Sequence, residues 1–95
     1  MSGGAFQWDA TKAAKNFAKH GVTFEAARDA FKDPFALDWA DEGHYAGEKR
    51  FAMLGMVESR LLFVAYTVRG DVIRIISARL AEPYERRRYH EENKA

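Results

Sequence analysis

Cysteine is absent from this chain, proline occurs twice, and no uninterrupted apolar run is long enough to cross a bilayer. Each absence removes a class of protein. Without thiols there is no disulfide framework, no thiolate nucleophile and no cysteine-based zinc site, and the chain suits a reducing cytoplasm. A membrane span needs roughly 18 consecutive apolar residues, and the opening MSGGAFQW lacks the basic-then-apolar order of a secretory leader. Net charge is nearly absent as well, at +1. What remains is a chain of 95 residues, 47% hydrophobic and 31% charged, which fits a single domain spanning 1–95 with one core.

The small net charge conceals a segregation. Residues Asp33 to Glu48 carry five acidic side chains and no Lys or Arg, whereas Arg74, Arg79, Arg86, Arg87 and Arg88 crowd the stretch RIISARLAEPYERRRY. A nearly neutral protein can therefore present a basic face, for which a phosphate backbone is the natural partner. Guanidinium groups bind phosphate through two parallel hydrogen bonds and stay charged at any physiological pH.

Local signals predict an α+β order of strand, two helices, several strands and a helix, with the helices against one face of an antiparallel meander. Asp9 caps a first helix whose apolar stripe is Ala10, Ala13, Ala14 and Phe17, with Lys12, Lys15, Asn16 and Lys19 on another face. Gly21 ends that helix, Thr23 caps the next, and Asp33-Pro34 stops it. Phe35 to Trp39 reads as a strand and Asp41 to Gly47 as a turn or loop, followed by strands at Arg50–Val57, Arg60–Arg69 and Asp71–Leu80 joined by tight hairpins. Pro83 opens the last helix. Trp8, Phe17, Phe24, Phe31 and Tyr66 are read as core.

The succession FQWD, KAAKNFAKHGVTFEAA, FKDP, GEKR and RIISARLAEPYERRRY resembles the BrnT family of toxins from bacterial type II toxin–antitoxin systems, over nearly the whole chain. The resemblance implies a RelE-like fold, an endoribonuclease that cleaves RNA, and inhibition of translation or growth; cleavage by 2′-hydroxyl attack requires no metal or other cofactor. The resemblance further implies a cognate ribbon-helix-helix antitoxin of the BrnA type, with a toxin dimer inside a complex that binds operator DNA through the antitoxin. One departure is Glu82, which stands where a Ser, Thr or Asn N-cap is expected, so that the capping box with Glu85 is incomplete.

RNA cleaves itself when a 2′-hydroxyl attacks the adjacent phosphate, so a protein has only to move two protons and stabilise the phosphorane. Arg79 and Arg50 are the candidates for the phosphate, and His20 and Glu48 for the protons. Lys19, Arg74, Lys12 and Arg86 are candidates for binding RNA, and Tyr89 joins them because RelE-like sites are built from Lys, Arg and Tyr on the sheet and last helix. Each has a plainer reading: His20 as a helix C-terminal cation, Glu48 and Arg50 as an ion pair on one strand face, Arg79 as an internal pair with Glu85, the lysines as a solvated helix face. Arg86 to Arg88 serve RNA or an acidic antitoxin surface equally well. In a regular strand Arg74 and Arg79 have opposite parity, so only a bulge brings both to one side. A non-catalytic nucleic-acid-binding or interaction module on the same scaffold is the alternative function.

Overall fold

The computed structural model describes residues 5–45 and 47–94, with the side chains of 43–45 left aside. Its elements are β1 (Ala5–Gln7), α1 (Ala10–His20), α2 (Phe24–Ala30), β2 (Leu37–Tyr45), β3 (Glu48–Val57), β4 (Arg60–Arg69), β5 (Val72–Leu80) and α3 (Pro83–Glu92). The five strands form one sheet in the order β1-β5-β4-β3-β2. β2 to β5 pair antiparallel in succession, and β1 lies parallel to β5, so the sheet is mixed rather than wholly antiparallel.

Punctuation residues act where the sequence places them. Asp9 accepts from the Thr11 amide at 2.9 Å and Thr23 from that of Ala26 at 3.0 Å, each satisfying an otherwise orphaned helix donor. Gly21 is left-handed at φ 70° beyond α1, and Gly70 takes φ 58° in the β4–β5 hairpin. At the start of α3 the Glu82 amide donates to the Glu85 carboxylate at 2.8 Å. The return arm of the capping box thus forms despite the unusual cap.

Three features depart from the sequence reading. The expected turn over Asp41 to Gly47 is strand as far as Tyr45, because Asp41 pairs opposite Arg50 and Tyr45 opposite Glu48, with the register slipping between Asp41 and His44. The His44 side chain and residues 1–4 lie outside the described residues. Long-range pairing with β3 outweighs the local turn preference of Asp and Gly.

The second departure is the orientation of α1. Phe17 is 54% exposed, while Asn16 is buried. The Asn16 amide occupies the edge of β5 past the last residue paired by β1: Nδ2 donates to Ala78 O at 2.8 Å and to Val22 O at 3.0 Å, and Oδ1 accepts from the Ala78 amide at 3.1 Å. Leaving three buried backbone groups unpaired costs roughly 1–3 kcal/mol each. Burying Phe17 instead gains only about 1.5–3 kcal/mol, so the helix turns its amide inward.

Third, helices pack on both faces of the sheet, not one. Val22, Phe24, Ala27 and Ala30 from the α1–α2 side pack on Met53, Leu62, Val64, Tyr66, Ile75 and Ala78. On the other face Leu54, Leu61, Ala81 and Tyr89 form a second cluster with Trp39 and Phe63, beneath α3. Adjacent residues such as Met53 and Leu54 therefore serve opposite cores, which is why β3 and β4 read as continuous apolar runs without alternation. Asp33 fastens α3 down: it accepts from the Tyr89 hydroxyl at 2.6 Å and from the Met56 and Phe35 amides at 2.8 and 2.9 Å.

Candidate RNA-binding face

On the sheet face that packs beneath α3, cross-strand register also builds a row of polar side chains. Asp41 pairs with Arg50, Arg50 with Thr67, Thr67 with Arg74, and Arg74 with Gln7, one row running across all five strands. Arg50 and Arg74 flank Thr67, their Cα atoms about 10 Å apart on two interstrand spacings. Long guanidinium side chains span that distance from either side.

A bulge decides what joins them. Ala65 pairs with Ser77 but Tyr66 pairs with Ile75, leaving Ile76 as the extra residue of β5. It reverses the alternation between Arg74 and Arg79, so that both point to the α3 side. Phe63 faces Arg79 and Thr67 faces Arg74, and these two residues of β4 share a face.

The arginines differ in how they are engaged. Arg74 donates to Gln7 Oε1 at 2.7 Å and, among the described residues, has no carboxylate within ion-pair distance. Arg50 Nε stands 3.4 Å from Asp41 without a hydrogen bond and is buried. Thr67 Oγ1 is likewise buried without a partner. Glu48, expected to pair with Arg50, instead bonds Arg69 through Oε2 and leaves Oε1 buried and unpartnered. Three unsatisfied polar atoms on neighbouring residues mark a place where the fold has not closed its own hydrogen bonding.

Arg79 is fully engaged. Its Nη1 and Nη2 donate to the two Glu85 oxygens, both at 2.9 Å, and Nη1 also reaches Leu80 O at 3.1 Å. The guanidinium carbon lies 4.2 Å from the Phe63 ring centroid. The Glu85 hydrogen bonds push the Arg79 pKa upward against burial. Burial by itself raises the Glu85 carboxyl, but the bonds from Arg79 and the Glu82 amide overcome it and hold the group below its usual range.

Between sheet and α3 lies a cleft of about 320 Å³ walled by Trp39, Phe63 and Tyr84, with Asp41, Arg79 and Arg88 among its polar residues. Arg88 sits over the Trp39 ring at 4.4 Å. Tyr84 is largely exposed, and its hydroxyl pKa is raised chiefly by the charge of Glu85.

The other residues singled out from sequence lie elsewhere. Lys12, Lys19 and His20 line a separate groove of similar volume beside Lys15 and Asn16, against Ile76 and Ser77 at the β5 edge. Arg86 donates to Ala81 O at 3.3 Å from the exposed side of α3. Tyr89 is buried, and burial together with the bond to Asp33 pushes its hydroxyl to about 12. Sequence reasoning did not single out Trp39, Asp41, Thr67 or Tyr84 for the site, and it offered Arg88 only together with Arg86 and Arg87, for RNA or the antitoxin. The shared parity of Glu48 and Arg50 on one strand was the local hint at this face, since strand partners are not written in any one strand.

An arginine row and an aromatic-walled cleft on one sheet face of a small α+β fold are the kind of features that suit nucleic acid. The family described as ribonuclease toxin, BrnT, of type II toxin–antitoxin system matches residues 8–85. The chain belongs to that family, and membership brings an RNA substrate and a cognate antitoxin. No curated protein matches the chain. Among the described residues, no helix is long and apolar enough to cross a membrane.

Proposed function

We propose that this protein is a metal-independent endoribonuclease that inhibits translation and growth by cutting RNA, until a BrnA-like ribbon-helix-helix antitoxin covers its basic face. The observation that supports the siting is the Arg50–Thr67–Arg74 row, where two guanidinium groups flank a buried hydroxyl that has no hydrogen-bond partner of its own. The scissile phosphate lies between Arg50 and Arg74, which meet the charge that grows on its oxygens in the phosphorane. Thr67 donates to the same oxygens once the arginines turn toward them.

Glu48 lies two residues from Arg50 on the same face of β3, with Oε1 unpartnered, and it takes the proton of the 2′-hydroxyl. The 2′ oxygen attacks phosphorus, the bond to the 5′ oxygen breaks, and water protonates the departing group. The products are a 2′,3′-cyclic phosphate and a 5′-hydroxyl. Arg79 and Tyr89 are positioning residues in this scheme: one ties the first turn of α3 to β5 and the other ties its last turn to Asp33. Lys12, Lys19 and His20 carry flanking phosphates past the β5 edge, and Arg86 serves RNA or the antitoxin from outside.

Purified protein incubated with single-stranded RNA in EDTA tests the proposal. New 2′,3′-cyclic ends support it, with Arg50→Ala and Arg74→Ala each lowering the rate at least 100-fold while circular dichroism is unchanged. A salt-sensitive gel shift without cleavage supports a non-catalytic binding module instead; the engagement of Arg79 by Glu85 favours that reading. A short neighbouring reading frame for a ribbon-helix-helix protein identifies the antitoxin.

A further inference from the structure

A carboxylate is out of place in a groove meant for phosphate, yet the cleft beside α3 contains two. Glu85 is accounted for, since both its oxygens bond Arg79 and one also accepts the Glu82 amide. Asp41 is not. Among the described residues it meets only Arg50 Nε, at 3.4 Å and without a hydrogen bond. It borders the same cleft as Trp39, Phe63 and Tyr84, and it is adjacent to Arg50 in the row that flanks the phosphate.

We propose that this cleft is a nucleobase subsite that selects guanine, with Asp41 as the reading carboxylate. The inference rests on RNA being the substrate and deepens that reading to a base preference next to the cut. Tyr84, exposed on the cleft wall, offers a face on which any base stacks without regard to sequence, and Trp39 offers a second once the Arg88 guanidinium that lies over it is displaced. Discrimination has to come from the polar edge. Guanine presents N1–H and an N2 amino group side by side, two donors that match the two oxygens of one carboxylate. Adenine and cytosine place a ring-nitrogen lone pair beside their amino group, and uracil sets its single N–H between two carbonyls. Each of these turns an acceptor toward Asp41 and leaves part of it unpaired, which a site built to accept hydrogen bonds penalises. The carbonyl O6 of guanine, on the same edge, faces the guanidinium groups that neighbour Asp41.

The test titrates the intact protein with 5′-GMP, 5′-AMP, 5′-CMP, 5′-UMP and ribose 5-phosphate at low ionic strength, followed by tryptophan fluorescence, since Trp39 lines the cleft and Trp8 packs on Phe24 at the other core. GMP is expected to bind at least tenfold more tightly than the other nucleotides. Asp41→Asn, which replaces one acceptor by a donor, should reduce that preference to within threefold and leave ribose 5-phosphate affinity unchanged. Equal binding of all four nucleotides by the unaltered protein overturns the proposal, and so does an Asp41→Asn variant that loses ribose 5-phosphate as strongly as GMP, because Asp41 would then act only by holding Arg50. Preference for GMP without RNA cleavage keeps the guanine site and rejects the nuclease; cleavage at every base alike does the reverse.

Discussion

Removing Arg79 should destabilise the protein before it disables any chemistry. Arg79→Ala leaves Glu85, which is 4% exposed, charged and without its bidentate partner. Stranding one member of a buried pair costs about 3–5 kcal/mol. The Arg79 side chain is 28% exposed, so solvent screening brings the figure to about 2–3 kcal/mol. Loss of the guanidinium from the Phe63 ring adds about 0.5–1 kcal/mol. A total near 3 kcal/mol corresponds to roughly 12–24 °C in Tm for a domain of this size. The assay is thermal and urea unfolding of Arg79→Ala, Glu85→Gln and the double variant at neutral pH, with cleavage measured on the folded fraction. The double variant should be more stable than the sum of the singles by about 2 kcal/mol, since a neutral side-chain amide in place of the Glu85 carboxylate no longer needs a cation. Because Glu85 is held below its usual range in the folded state, its contribution is present at neutral pH and is lost as pH falls through the carboxylate range. The gap between wild type and Arg79→Ala should therefore narrow in acid. An Arg79→Ala protein as stable as wild type but devoid of cleavage would refute this and make Arg79 a phosphate ligand.

Other outcomes follow from the packing. Asn16→Ala strands the Ala78 amide and the Ala78 and Val22 carbonyls; partial access of water reduces the summed penalty to about 3–4 kcal/mol, read as a loss in urea midpoint. Tyr89→Phe deletes the 2.6 Å bond to Asp33 and should cost about 1–2 kcal/mol. Burial raises the Asp33 carboxyl, but the bonds from Tyr89, Met56 and Phe35 keep it below its usual value, so wild type loses this stabilisation as pH falls and Tyr89→Phe should show a shallower acid limb. Gly55→Ala would set a Cβ 2.5 Å from Ala30 O, and the resulting shift between α2 and β3 should cost about 1–3 kcal/mol. Phe17→Ser, on an exposed position, should move stability by no more than about 0.5 kcal/mol, measured by the same denaturation.

The amino-acid order by itself determined the pieces. Asp9, Gly21, Thr23, Gly70 and Pro83 mark ends and turns through bonds and dihedral angles within a few residues of themselves, so each was legible locally. So were the apolar runs of β3, β4 and β5, and the ordered motifs that resemble the BrnT family. Tertiary structure decided which face each side chain met. A single extra residue at Ile76 sets Arg74 and Arg79 on one side, Asn16 turns inward because Ala78, 62 positions away, needs its amide, and Arg79 is drawn to Glu85 rather than left free. Asp41, Arg50, Thr67 and Arg74 become neighbours only through register, each contributed by a different strand. Local preferences reach about one helical turn, whereas the free energy that fixes register and partner choice resides in contacts between distant segments, where an unpaired buried donor or charge costs more than any local preference supplies.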